Sequence, residues 1–552
     1  MSQSGRTRWP GALLVVLCLA FGLRVYGFWF GLPYVLTGDG ENTFINPAVQ
    51  MVVSGDFNPH WFGHPGSTVI YPLALLYGLL YLIGHAAGQF AQPAALQAQL
   101  SADPTLFYVT ARLLSIAWAV ATVALVWRLG TRLGGRGLGL LAALFLAVNP
   151  MHREWTTWAR SDAPAAFFVV LTVYAAIRFA DRPTRGWALL AGMATGLAAA
   201  SKITTGVVFA AWLVAWIARP GRGRRPDLGA LGLAALAAAA AFAITSPYVL
   251  LDWQQAVPNL LFENRGGHAG AERLPGLQNW WWYAAVALPG AVGWPGMIAA
   301  AFGAATIGRS RRGNAARAWI AEAFPLLYWL GIGASNLRWD HWLVPVLPIV
   351  ALWTAQGVLT IARGVARAMA SRSRASRAIE IAATTAKPPF GGCTPKLKCT
   401  RLKPGTHWAL TVSLAALLLL TLSQPAFTSL RRAFQSAQPN TQVLAIRWFR
   451  DHVPAQTVVG SEWYTGLFWS ATIKLEEVPT LGQSTPDYFR ARGAQFVAAS
   501  SDMYDRFYAE PARYAEFVAA YERFWRELPL VVEFAPDPWR RPGPTIRILR
   551  VP

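Results

Sequence analysis

The sequence SGRTRWPGALLVVLCLAFGLRVYGFWFGLPYVLTGDGE, residues 4–41, begins with two arginines, continues through an apolar run over 11–33 and ends with Asp39 and Glu41. The run is long enough to cross a membrane, which takes about 20 apolar residues in a helix. It continues past Arg24 without a small-residue cleavage site, so it indicates a retained span rather than a signal peptide. Because basic residues that flank a span stay in the cytoplasm, Asp39 and Glu41 are predicted to lie outside.

The composition of the whole chain also indicates a membrane protein. Of its 552 residues, 54% are hydrophobic and only 14% are charged, against roughly 25% charged in an ordinary soluble domain. The 49 Lys and Arg outnumber the 27 Asp and Glu, but they cluster in short segments between apolar runs rather than on one polar domain. This placement is typical of membrane topology and excludes nucleic acid as the expected partner.

Ten later apolar stretches predict further spans. They lie at about 112–129, 136–150, 161–180, 186–200, 203–218, 228–246, 284–306, 317–335, 342–361 and 406–423. The loops rich in Lys and Arg are predicted to be cytoplasmic, which places the N-terminus inside and the C-terminus outside. The sequence therefore predicts an all-α polytopic membrane domain of about 11 transmembrane helices.

One further segment, residues 66–88, is also long enough to cross. A crossing there would put the loop at 86–105, which has no Lys or Arg, inside and the basic loop at 128–137 outside. We therefore predict that 66–88 lies in the membrane interface or re-enters it, among juxtamembrane helices of the first external loop. A true crossing stays open as the alternative.

Composition divides the chain into four regions. Residues 1–362 form the predicted transmembrane catalytic domain, and 363–404, rich in Ala, Ser, Arg, Lys and Pro, are predicted to be a basic disordered cytoplasmic linker. Residues 405–424 hold the last transmembrane helix. Residues 425–552 alternate helical and strand patterns and predict a small extracytoplasmic α/β domain.

Ionisable residues near span ends are costly and are treated as functional candidates. With the predicted topology they emerge on the outer face, where Lys and Arg are otherwise rare. The set includes Asp39, Glu41, His64, Arg160, Asp162, Lys202, His268, Arg338 and His341. Carboxylates together with cations are what transfer from a lipid-phosphate donor requires, because a carboxylate takes the acceptor proton and cations stabilise the leaving phosphate.

The order of these motifs resembles the GT-C class of integral-membrane glycosyltransferases, near the protein O-mannosyltransferases and the aminoarabinose lipid A transferase. The resemblance rests on the acidic motif after the first span, His64-Pro65-Gly66 before an apolar stretch, Arg160-Ser161-Asp162 entering a span, and GMATGLAAASKIT at 192–204. The family has adjacent Asp-Glu in its first external loop, and it has His-Pro-Pro where this chain has His64-Pro65-Gly66. Here the acids are separated by a glycine, which favours Asp39 over Glu41 as the base.

The candidate residues are assigned the following roles, of which the resemblance implies those in the acidic motif, Arg160-Ser161-Asp162 and Lys202. Asp39, Glu41 and Asp162 would be catalytic, with Asp162 holding the acceptor or a metal. Arg160, Lys202, His64 and Arg338 would bind the donor phosphate. His268 and His341 would bind acceptor or sugar. No cofactor is certain, and a divalent metal stays open.

The resulting hypothesis is a multi-pass glycosyltransferase of the cell membrane. It would move a sugar from a polyprenyl-phosphate donor to an extracytoplasmic protein, lipid or glycan, with inversion and Asp39 as general base. The alternatives are a transporter or lipid-linked sugar flippase, which predicts ionisable residues buried mid-span, and a non-catalytic scaffold in which Asp39 is only a cap or loop carboxylate.

Overall fold

The described membrane part of the chain consists of helices joined by loops. The computed structural model describes residues 11–34, 40–218, 227–266, 270–307, 314–384, 404–467 and 472–552. The helices of this part are α1 Gly11–Val25, α2 Asn42–Ser54, α3 Ser67–Ala86, α4 Ala94–Ala102, α5 Thr105–Gly134, α6 Arg136–Ala147, α7 Pro150–Trp155, α8 Asp162–Asp181, α9 Arg185–Ser201, α10 Phe209–Ile217, α11 Leu228–Thr245, α12 Pro247–Leu251, α13 Trp253–Phe262, α14 Gln278–Trp282, α15 Leu288–Thr306, α16 Asn314–Ala334, α17 Leu347–Thr384 and α18 Pro404–Ser436.

Each predicted span overlaps helical structure, and the segment between α1 and α5, which is predicted to be the first external loop, contains the helices α2 to α4. Within the described ranges, seven helices are long and apolar enough to cross a membrane, and three shorter ones are also apolar. The membrane character of the chain is therefore confirmed, whereas the figure of eleven crossings stays a prediction.

Helix α8 lies at the centre of the bundle, since most of its residues are buried. Around it the helices approach closely at small residues. A Cβ at Gly303 in α15 would overlap the Trp353 carbonyl of α17, and one at Gly357 in α17 would overlap the Ala299 carbonyl of α15. Small residues at helix contacts are typical of membrane bundles, in which association depends on close packing.

We call the end of the bundle where α5 and α8 begin and α9 ends the site end. Helix α3 contacts this end at its start and again at its midpoint. At the start, the Thr68 hydroxyl lies 2.7 Å from the Ser201 hydroxyl at the end of α9, and at the midpoint the Tyr77 hydroxyl donates to the Phe107 carbonyl at the start of α5 (2.9 Å). The next helix, α4, packs on α2 and α5. Helix α3 is also one of the seven helices long and apolar enough to cross, so the interface placement of residues 66–88 stays a prediction.

The predicted disorder of 363–404 is wrong for its first half. Helix α17 continues to Thr384, and residues 385–403 lie outside the described residues. The physical reason is local. The segment is dominated by Ala and Arg, which have high helix propensity even without an apolar face.

The C-terminal region is an α/β domain, as predicted. Its strands are β1 Val458–Glu462, β2 Lys474–Val478, β3 Phe496–Ser500, β4 Leu530–Phe534 and β5 Ile546–Arg550, and its helices are α19 Thr441–His452, α20 Pro486–Ala491, α21 Ser501–Tyr508 and α22 Ala515–Glu527. The sheet order is β2-β1-β3-β5-β4, with β1, β2 and β3 parallel and β5 antiparallel to both its neighbours. Two apolar clusters cover its faces, one around α19 and one around α20 to α22.

Candidate functional site

A buried ion cluster lies at the site end. Asp162 occupies the first turn of α8, where a carboxylate also suits the helix dipole, and Lys202 follows the last residue of α9. The Lys202 ammonium donates to Asp162 Oδ1 at 3.0 Å, and Arg160 Nε lies 3.5 Å from Asp162 Oδ2. Asp162 is 1% exposed and Lys202 4%. Two cations thus share the Asp162 carboxylate, and the charge of Glu263 also acts on Lys202.

Two neutral histidines border the cluster. His341 Nε2 lies 3.5 Å from Arg160 Nη2, and the His341 ring packs on Trp155 with ring centroids 4.6 Å apart. Burial lowers the pKa of His341. Burial also lowers the pKa of His64 to about 3, with the charges of Lys202 and Arg160 adding to the effect. Neither histidine therefore adds a positive charge at neutral pH.

Glu41 lies in a separate buried ion pair. Its carboxylate accepts hydrogen bonds from Arg112 Nε (2.8 Å), Arg112 Nη2 (2.5 Å) and the Ala159 amide (2.9 Å). Arg112 also donates to the carbonyls of Phe28 and Phe30, at 2.9 Å each. Glu41 thus ties the segment between α1 and α2 to α5 and to the segment before α8. Asp39 lies outside the described residues.

Two cavities meet beside the cluster. The apolar cavity, about 500 Å³, is lined mainly by aliphatic and aromatic side chains, with Lys202 and His64 as its basic groups. The polar cavity, about 400 Å³, is lined by Gly40, Arg160, His341 and many aromatic residues. His64, Glu263 and Trp342 line both cavities. An amphiphile and a polar molecule could therefore meet at this junction.

The remaining candidates lie elsewhere. Arg338 is drawn away from the cluster into an ion pair with Glu510 of the C-terminal domain, at 2.6 Å. It lines a different cavity. His268 lies outside the described residues. The structure therefore brings together Arg160, Asp162, Lys202, His64 and His341.

The sequence analysis missed three residues that contribute to the candidate site or its cavities. Arg112 could have been noticed as a lone charge at the start of a span, a pattern that marks function by default. Tyr464 and Arg506 of the C-terminal domain line the polar cavity, and no sequence signal could have found them, because nothing in their neighbourhood indicates docking onto the membrane part.

Comparisons with known proteins agree with this architecture. Residues 96–251 match the family model described as dolichyl-phosphate-mannose-protein mannosyltransferase. No curated protein sequence matches the chain significantly.

Among solved structures, the Archaeoglobus fulgidus oligosaccharyltransferase is similar at 13% identity and a TM-score of 0.55, covering 96% of this chain and 74% of that chain. The same enzyme matches in complex with an inhibitory peptide and a dolichol-phosphate, with 95% and 73% covered and the same identity and TM-score. ArnT from Cupriavidus metallidurans bound to undecaprenyl phosphate is similar at 15% identity and a TM-score of 0.50, with 98% of each chain covered. The resemblance found in the sequence is confirmed at the level of the fold, and this chain has the architecture of the GT-C glycosyltransferases.

Proposed function

We propose that this protein transfers a sugar from a polyprenyl-phosphate donor to an extracytoplasmic acceptor, with inversion. The observation that carries the proposal is the junction of an apolar and a polar cavity beside a buried cluster in which Lys202 and Arg160 share the Asp162 carboxylate. A lipid-linked sugar is itself apolar at one end, anionic in the middle and polar at the other end. Its three parts match the apolar cavity, the cluster and the polar cavity in order.

The donor phosphate is assigned to Lys202 and Arg160. Lys202 lines the apolar cavity and Arg160 lines the polar one, and both contact Asp162. A phosphate between them would contact both cations in a site from which most water is excluded, where electrostatic stabilisation is strong. The outer wall of the apolar cavity includes Ile203 and Leu327, which are 42% and 40% exposed, so the lipid tail could continue into the bilayer.

The acceptor is assigned to the polar cavity. Asp39 directly precedes Gly40, which lines that cavity, and we assign Asp39 as the general base. The acceptor hydroxyl would lose its proton to Asp39 while its oxygen bonds to the anomeric carbon. The bond from that carbon to the donor oxygen would break, and its electron pair would stay on the lipid phosphate, held by Lys202 and Arg160.

The other carboxylates have supporting roles in this proposal. Glu41 is saturated by Arg112 and Ala159, so it positions the loop that carries Asp39. Asp162 orients the two cations, and His341 lines the acceptor side. The described residues contain no group of three or more His, Cys, Asp and Glu close enough to hold a metal, and a metal requirement stays open.

The solved relatives and the predicted topology support the same assignment. The similar oligosaccharyltransferase is recorded with a dolichol-phosphate and the similar ArnT with undecaprenyl phosphate. We place the chain in the cell membrane with the N-terminus in the cytoplasm and the site end and C-terminal domain outside, since the loops at the opposite end carry the basic residues.

The test is transfer of radiolabelled sugar from a polyprenyl-phosphate donor, using membranes that contain the full-length protein. We expect Asp39→Asn and Lys202→Ala to abolish transfer. Asp56→Asn is the control in the same loop, where Asp56 is half exposed and bonded to His60, and exposed Lys474→Ala is the control for charge. Wild-type activity in Asp39→Asn would overturn the mechanism. Movement of donor across the membrane without transfer would identify a flippase instead.

A further inference from the structure

A third cavity lies between the membrane part and the C-terminal domain. Its volume is about 430 Å³. Three arginines from distant parts of the chain line it: Arg338 before α17, Arg432 in α18 and Arg506 in α21. Asp340 is the one acidic residue in its lining. A cavity lined by three guanidinium groups is suited to an anion.

The three guanidinium groups differ in how far they are compensated. Arg338 is paired with Glu510 at 2.6 Å, and Arg432 is paired with Glu154. Arg506 makes no ion pair within 4 Å among the described residues, although Glu462 and Asp502 interact with its charge at longer range, and its Nη1 is buried without a hydrogen-bond partner there. A buried guanidinium nitrogen without a partner is costly, and an anion in the cavity that Arg506 lines would offset the charge of this guanidinium.

Arg506 is held in place before any ligand arrives. Its guanidinium stacks on the ring of Tyr464, 4.6 Å from the centroid. Its stem packs against Gly270, where an added Cβ would lie 2.5 Å from Arg506 Cβ. Gly270 has a φ of +82° and donates its amide to Glu272 at 2.8 Å. Because the side chain is already ordered, binding costs little conformational entropy.

Arg506 also connects this cavity to the proposed reaction site. Arg506 and Trp339 line both the arginine cavity and the polar cavity. A molecule anchored in the arginine cavity could therefore reach into the polar cavity, where the acceptor hydroxyl is assigned.

We propose that the arginine cavity binds an anionic group of the acceptor, a phosphate or a carboxylate, with Arg506 as its main ligand. This inference rests on the proposed function and adds the chemical class of the acceptor. The anion fixes the far end of the acceptor while its hydroxyl projects towards the junction of the two other cavities.

The test measures stabilisation of the full-length protein by anions, since a ligand that binds the folded state raises its unfolding temperature. The protein is placed in phosphatidylcholine nanodiscs and titrated with inorganic phosphate at constant ionic strength. We expect Arg506→Gln to weaken this effect by ~10-fold or more, because one charge-assisted hydrogen-bond donor is lost. The control is Arg526→Gln, an exposed arginine of the same domain.

Two further titrations identify the source of the anion. Glycerol 3-phosphate serves as a soluble phosphate, and phosphatidylglycerol in the nanodisc serves as a lipid headgroup. Stabilisation that depends on Arg506 in either titration supports the site and names its source. Equal stabilisation of the wild type and Arg506→Gln by every probe would overturn it. If Arg506→Gln does not fold, Gly270→Ala displaces the same side chain and is expected to weaken phosphate binding.

Failure of this inference can be distinguished from failure of the proposed function. Binding of polyprenyl phosphate is expected to need Lys202 and to persist in Arg506→Gln. Loss of polyprenyl phosphate binding only in Lys202→Ala, with phosphate stabilisation unchanged in Arg506→Gln, would remove the arginine site and leave the donor assignment in place.

Discussion

Asp162 is the residue on which the buried charges of the site depend. Its carboxylate balances Lys202 and Arg160 in a place almost without solvent. Removal of one partner from a buried ion pair leaves the other charge uncompensated, which costs more than the pair itself contributes. In the proposed mechanism the same residue therefore contributes to folding and orients two cations towards one phosphate.

We expect Asp162→Asn to lower the free energy of unfolding by ~3 kcal/mol, the typical cost of an orphaned buried charge. The measurement is denaturant unfolding in detergent. The double variant Asp162→Asn with Lys202→Met should recover most of this loss, since it removes the orphaned ammonium as well. A single variant as stable as the wild type would contradict the buried pairing.

His64 gives the site a defined pH dependence. Burial lowers its pKa to about 3, whereas the unfolded chain has the ordinary value of about 6.5. Between these pH values the His64 ring is protonated in the unfolded state but neutral in the folded state. The free energy of unfolding therefore decreases as the pH falls below about 6.5. We expect the unfolding temperature to drop between pH 7 and pH 5, and His64→Gln to reduce that drop. A variant at the exposed His452 should keep the full drop, and equal slopes for all three proteins would refute the assignment.

The sequence indicates which charged residues are candidates for the site, but it does not indicate which distant residues they contact. Charges at span ends are expensive, so Asp162, Lys202 and His64 were recognisable without a structure. The pairing of Glu41 with Arg112 and the lining by Arg506 depend on how distant segments pack. Local patterns do not carry that information.

At the scale of elements, hydropathy and loop charge predicted the helices of the membrane part. They carry less information about the short elements of the C-terminal domain. In the C-terminal domain two elements have weak patterns of their own: β2, whose sequence KLEEV is polar at an edge of the sheet, and α21, a short helix directly after β3. Helix α3 is the element whose role matters most, because its placement decides the topology of every later helix.

We expect a reporter inserted at residues 89–93, between α3 and α4, to be extracytoplasmic. The contacts of α3 with the end of α9 and the start of α5 return the chain to the site end. A reporter at 182–184, in the basic connection between α8 and α9, should be cytoplasmic and serves as the matched control. Cytoplasmic activity at 89–93 would show that α3 crosses the membrane.

The contact between α15 and α17 depends on glycine. A Cβ at Gly357 would overlap the Ala299 carbonyl, whereas a Cβ at Gly364 in the same helix meets nothing within 4 Å. We expect Gly357→Ala to destabilise the protein by about 1–3 kcal/mol through overpacking and Gly364→Ala to be neutral or slightly stabilising through helix propensity. Thermal unfolding of the two variants measures the difference, and equal unfolding temperatures would show that the helices do not approach this closely.

At the scale of the whole molecule, the C-terminal domain is part of the proposed site. Tyr464 and Arg506 complete the polar cavity, and Arg338 joins the two parts through Glu510. The sequence predicted an external α/β domain but gave it no role, because a docking surface is defined by both partners together. If the polar cavity binds the acceptor as proposed, we expect acceptor binding and domain docking to be coupled.

The ion pair between Arg338 and Glu510 tests this coupling. The two side chains are 13% and 31% exposed, so their interaction is less screened than at an open surface. We expect Arg338→Glu and Glu510→Arg each to reduce transfer and to make the C-terminal domain more sensitive to limited proteolysis, because like charges then face each other. The double variant restores opposite charges and should recover part of both properties, with a coupling of ~1 kcal/mol or more in the unfolding free energies.

Glu533→Arg breaks the pair with Arg547 inside the C-terminal domain and should leave transfer unchanged, since it does not touch the membrane part. Full transfer in Arg338→Glu would show that the domain can leave the cavity without consequence, and acceptor recognition would then have to be sought in the membrane part alone.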